Sequence, residues 1–110
     1  MRQEYYKLVR DRIPEIIHQA GLNYEVVTLS AEEYHQALRK KLVEEAEEAA
    51  QASEENLVKE LADLLDVIDA LIESSGITQE SILLERDQKR AEKGGFTQKV
   101  KLLWTESPEL

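Results

Sequence analysis

The chain contains no cysteine. That excludes disulfides, thiolate metal sites and a cysteine nucleophile, and it fits a cytoplasmic protein. Histidine is nearly as scarce. His18 and His35 are isolated, neither with a second histidine at a metal-ligand spacing, so both read as surface or packing residues. No long apolar run is present. The most apolar stretch, residues 61–72, carries Asp63, Asp66 and Asp69, which makes it too short and too charged to span a bilayer. Arg2, Lys7, Arg10 and Arg12 have no apolar segment behind them, so no signal peptide is expected. Internal repeats and low-complexity segments are also missing.

What is there suits one folded domain over residues 1–110: 42% hydrophobic and 34% charged residues in a chain of 110. The net charge of −9 gives no electrostatic reason for stable nucleic-acid binding, but it does favour cations. Most of these acids are expected simply to solvate the surface.

Four helices are predicted. Pro14 opens a short one running to about Ala20, with Gly21 as its stop. Ser30 and Glu33 form a capping box, and Leu29 with Tyr34 a hydrophobic staple, for a long helix reaching Ala52. Ser53 caps the next, which ends near Ser75 before Gly76. Thr78 caps the last, with Ile77 and Ile82 as its staple, and Gly94-Gly95 ends it. Residues 23–29, rich in Tyr, Val and Thr, read as a short strand, and 96–104 as a loose closing strand. The short link at Ser53 makes the two long helices antiparallel neighbours.

Several acids lie on the wrong face of those helices. At about 100° per residue, Tyr34, Leu38, Leu42, Ala49 and Ala52 fall within roughly 60° of Glu45. Glu45 is therefore inside the apolar stripe, with Glu48 at its edge, while Glu44 and Glu47 turn toward solvent. In the next helix Leu57, Leu64, Val67 and Leu71 surround Glu60, and Asp63 lies at the stripe's edge. Asp66, Asp69 and Glu73 lie on the outer face. Both acid pairs stand about equally far from the turn, so four carboxylates are predicted to converge. Buried together they must either take up protons or share a cation. A hard divalent ion suits an all-oxygen site: Mg²⁺, with Mn²⁺ as a substitute.

The spacing Glu44-Glu45-x-x-Glu48 followed by Glu60-x-x-Asp63 resembles the metal signature of the MazG-like, all-α nucleoside triphosphate pyrophosphohydrolases. That superfamily includes phosphoribosyl-ATP pyrophosphohydrolase and the dimeric dUTPases. Residues 7–17, KLVRDRIPEII, look like the opening of its small single-domain branch. Residues 89–96 look like the phosphate-contacting end of the last helix, and the resemblance runs from about Tyr5 to Leu103.

The resemblance implies an all-α antiparallel bundle with short extended segments near both ends. It implies Mg²⁺-dependent hydrolysis between the α- and β-phosphates, to a nucleoside monophosphate and pyrophosphate, as nucleotide-pool house-cleaning. Glu45, Glu48, Glu60 and Asp63 would bind metal, and Glu44 or Glu48 would take the proton of the attacking water. Lys89, Lys93, Arg10 and Arg12 would hold phosphates. Lysine stands at 93 where the family usually has arginine, and it brings charge without a bidentate fork. A homodimer or a tetramer is implied as well. Two alternatives stay open: phosphoribosyl-ATP or a dUTP-like nucleotide as substrate, and a non-catalytic helical module that binds a partner protein.

Overall fold

The computed structural model describes residues 1–109. The described residues form four helices, α1 (Ile13–Gln19), α2 (Ala31–Gln51), α3 (Glu54–Ser74) and α4 (Gln79–Lys93). They group into two compact units, residues 1–78 and the residues from Gln79 onward.

In the first unit, Pro14 occupies the first turn of α1, where its missing N–H costs nothing. Gly21 ends the helix at φ +78. Its N–H donates to the carbonyl of His18 at 3.0 Å, and that of Leu22 to the carbonyl of Ile17 at 3.3 Å, the paired closure that needs a left-handed residue. The capping box on α2 forms in both directions. The Glu33 N–H donates to Ser30 Oγ at 3.2 Å, and the Ser30 N–H donates to Glu33 Oε1 at 3.1 Å.

Ala52 and Ser53 are both extended, and these two residues are the whole link between α2 and α3. Ser53 stands at the N-cap of α3 as expected, but its hydroxyl makes no capping bond. It accepts instead from the Asn56 side-chain amide at 3.2 Å.

The two long helices pack antiparallel. Near the far end of the pair, Arg39 Nε donates to His35 Nε2 at 3.0 Å, and His35 Nδ1 lies 3.3 Å from Ser74 Oγ. The Ser74 hydroxyl itself donates to the carbonyl of Leu71. That order assigns the His35 proton to Nδ1. His35 is thus a polar strut between α2 and α3, the packing role that its sequence reading allowed. The described apolar core is small, Leu38 from α2 and Val67 from α3 being its buried members.

Neither predicted strand forms. Among the described residues there is no β-strand, and 22–30 and 98–109 carry no regular structure. Residues such as Tyr24, Val26 and Val27 have strand propensity, yet a strand exists only through a partner ladder, and none lies alongside.

In the second unit, Arg90 and Lys93 lie in the last turn of α4, where cations offset the carbonyl end of the helix. The chain then turns through Gly94 and Lys99, both at positive φ.

Candidate metal centre

Burial sorts the acids of α2 and α3 much as the helical wheels do. Glu45 is buried at 7% exposure, whereas Glu47 and Glu48 are exposed. On α3, Glu60 and Asp63 are half-buried, while Asp66, Asp69 and Glu73 are exposed. A carboxylate oxygen from each of Glu45, Glu60 and Asp63 lies within 4.8 Å of the other two. Glu44, Glu45 and Glu48 form a second such group. Glu45 belongs to both, so the cluster is two triads sharing one buried carboxylate.

Glu45 Oε2 and Glu60 Oε2 are shielded from solvent and have no hydrogen-bond partner. A buried carboxylate oxygen left alone costs several kcal/mol, so native structures rarely keep one without a compensating proton or cation. Burial pushes the Glu45 carboxyl above its ordinary value of 4.5, and repulsion from Glu48 and Asp63 adds to this. Lys41, one turn earlier on α2, pulls the other way. Its Nζ lies 3.6 Å from Glu45 Oε1 and 3.9 Å from Glu44 Oε1. The all-oxygen donors, the shared buried member and the two orphaned oxygens fit a hard divalent cation.

The cationic residues are placed less uniformly. Arg10 reaches α3, where one terminal nitrogen is 3.0 Å from Asp63 Oδ1 and the other pairs with Asp66 Oδ2. Arg12 pairs with Glu15 at 3.1 Å, at the mouth of α1. Lys89 and Lys93 are exposed on α4, in the second unit.

Lys41 and the Arg10–Asp66 pair escaped sequence reasoning. For Lys41 a signal existed, since a lysine three and four residues before two glutamates on a helix is positioned to pair with both. Arg10 and Asp66 are 56 residues apart, and no local pattern joins them.

Residues 3–90 match the family described as phosphoribosyl-ATP pyrophosphohydrolase. The matched range contains α1, α2, α3 and most of α4, with both acid pairs, Arg10, Arg12 and Lys89; Lys93 lies beyond it. Neither curated proteins nor solved structures give a significant match.

Proposed function

This chain belongs to the phosphoribosyl-ATP pyrophosphohydrolase family, and we propose that it hydrolyses a nucleoside triphosphate between the α- and β-phosphates with a divalent cation held by Glu45, Glu48, Glu60 and Asp63. The observation that carries this reading is the pair of buried, unpartnered oxygens on Glu45 and Glu60. They are positioned for a cation and costly without one. Mg²⁺ is the expected ion and Mn²⁺ its substitute, both suited to carboxylate oxygen.

The reaction adds one water across the anhydride and releases a nucleoside monophosphate and pyrophosphate. A bound Mg²⁺ supplies charge for the phosphate oxygens and acidifies the attacking water. The protein's own groups do the rest. Glu48 takes the water's proton in this reading, supported by its exposure beside buried Glu45, and Glu44 is the neighbouring candidate. Arg12 supplies a cationic contact for the phosphates and the departing pyrophosphate. Arg10, expected to do the same, is engaged by Asp63 and Asp66 instead. For Lys89 and Lys93, on the second unit, a phosphate role rests on the family resemblance alone. The family match crosses from the first compact unit into the second, which supports one pyrophosphohydrolase domain over residues 1–110.

A homodimer or tetramer belongs to the same reading. Apolar side chains along both long helices stay exposed, among them Val43, Val58, Leu61 and Leu65, while only Leu38 and Val67 are buried among the described apolar residues. A lone bundle with so thin a core is marginal, and association covers such faces. Within the fold, the substrate in the family's name, phosphoribosyl-ATP, is the second reading, favoured by the match itself. Nucleotide-pool house-cleaning is the role expected if ordinary or altered nucleoside triphosphates are preferred.

The deciding experiment measures Mg²⁺-dependent pyrophosphate release from a panel of nucleoside and deoxynucleoside triphosphates, with phosphoribosyl-ATP included. Release of monophosphate and pyrophosphate supports the proposal, and the preferred substrate separates the two readings. Absence of turnover on every member, or release of orthophosphate in place of pyrophosphate, overturns it.

A further inference from the structure

Arg10 lies in the segment before α1, and the α1 entrance fixes its backbone: the Ile13 N–H donates to the Arg10 carbonyl at 3.0 Å. From there its guanidinium spans one turn of α3. One nitrogen holds Asp63 Oδ1 at 3.0 Å and the other holds Asp66 Oδ2. We propose that Arg10 is a positioning residue for the acidic pocket, its fork fixing the orientation in which Asp63 offers its carboxylate to a divalent cation. The inference rests on the reading of that pocket as a cation site.

Three features of the fork favour positioning. First, Asp63 is the member of the triad that most needs support, because it stands at the edge of the apolar stripe with its side chain 32% exposed. A carboxylate there is free to swing toward water unless one oxygen is held. With Oδ1 held by Arg10, an Asp63 oxygen stays within 4.8 Å of Glu45 and Glu60.

Second, Asp66 offsets the charge of Arg10. An arginine alone beside the pocket would repel a cation. The Arg10–Asp66 pair is neutral as a unit and remains solvent-exposed, at 59% for each side chain, so Asp66 and solvent offset part of the repulsion that Arg10, 3.0 Å from Asp63, would exert on a cation. Third, the task needs a planar fork. Two carboxylates three residues apart are held in fixed relation by two rigidly linked nitrogens, which the single ammonium of lysine does not provide. Asp66, an outer-face acid by its helical position, thereby has a role of its own. It anchors the second arm.

Partners that orient a metal-binding side chain are commonly worth about 10–100-fold in metal affinity. The test is Mn²⁺ binding to the full-length, metal-free protein by titration calorimetry and electron paramagnetic resonance. The wild type is compared with Arg10→Ala, Arg10→Lys, Asp66→Asn and the charge control Arg2→Ala, with circular dichroism reporting the fold. Arg10→Ala is expected to weaken Mn²⁺ binding about tenfold. Arg10→Lys should fail to restore it, Asp66→Asn should weaken it by a smaller factor, and Arg2→Ala should leave it unchanged. Mn²⁺ affinity equal to or tighter than wild type in Arg10→Ala overturns the proposal, as does full affinity in Arg10→Lys. Saturable Mn²⁺ binding by the wild type with no change in the variants refutes positioning alone, whereas no saturable binding by the wild type refutes the cation site and the proposal together.

Discussion

Lys41 Nζ stands 3.6 Å from Oε1 of Glu45, while the other oxygen of the same carboxylate, Oε2, is buried without a partner. One side of the Glu45 charge is therefore offset within α2 and the other side is left to the pocket. Burial outweighs Lys41, and the Glu45 carboxyl sits above its ordinary value of 4.5. The native state thus holds this proton to higher pH than the unfolded chain does, so metal-free stability falls as pH rises from 4.5 through the raised folded value. Glu45→Gln should raise the melting temperature of the metal-free protein at pH 7, in chelator, and the gain should fade below pH 4.5. A lower melting temperature than wild type at neutral pH would contradict the crowding of charge at this position.

Cation linkage predicts the opposite response to the same substitution. Mg²⁺ or Mn²⁺ binding to the folded state raises stability by about 2.7 kcal/mol at a free concentration of 100 Kd. The wild-type melting temperature should climb across millimolar Mg²⁺, and Glu45→Gln should blunt that climb. A flat melting curve in the wild type would leave the two orphaned oxygens without their proposed occupant.

Activity should separate inward from outward acids at equal change in net charge. Glu60→Gln and Asp63→Asn should each lower Mg²⁺-dependent pyrophosphate release by on the order of a hundredfold or more, since each removes a proposed ligand. Glu47→Gln and Asp69→Asn, both exposed, should retain nearly full rate. Asp66 is no neutral comparator in this series, because it holds Arg10. Similar rates across both pairs would show a bulk charge effect and sink the ligand assignment.

The start of α2 offers a test independent of the pocket. Ser30→Ala removes the hydroxyl that receives the Glu33 N–H and should cost about 1 kcal/mol. The reciprocal bond, from the Ser30 N–H to the Glu33 carboxylate, holds the Glu33 carboxyl below its ordinary value of 4.5. A depressed acid contributes stability above 4.5 that is lost as pH falls through its folded value. Glu33→Gln should accordingly lower the melting temperature at pH 7 and differ little from wild type in strong acid. Chemical denaturation across pH reads both effects, and a Glu33→Gln penalty that persists undiminished in acid would argue against the capping charge.

Association is testable on the exposed faces. Sedimentation equilibrium at micromolar concentration should return a dimer or a larger species. Val58→Asp and Leu65→Asp replace side chains 79% and 61% exposed on α3 and should shift the distribution toward monomer if those faces pair. A wild-type monomer would refute the oligomer.

The sequence by itself determined the helices and the inward acids. Capping residues, left-handed glycines and the 3.6-residue period are local properties, so α1 to α4 and the placement of Glu45 and Glu60 in an apolar stripe could be read within windows of a few turns. The antiparallel hairpin followed from a two-residue link that permits little else. Tertiary structure decided what depends on distant partners. Residues 23–29 have the composition of a strand, but no neighbouring chain completes a ladder, so they stay irregular. Helical position puts Asp66 on the outer face, and only the approach of Arg10 from the N-terminal segment turns it into one half of a clamp. For His35 the sequence left surface and packing roles open, and only Ser74, which meets it across the packed helices from 39 residues away, decides for packing. A helix's period specifies which way a side chain faces, whereas the identity of the group it meets depends on how separate elements pack, which no local spacing encodes.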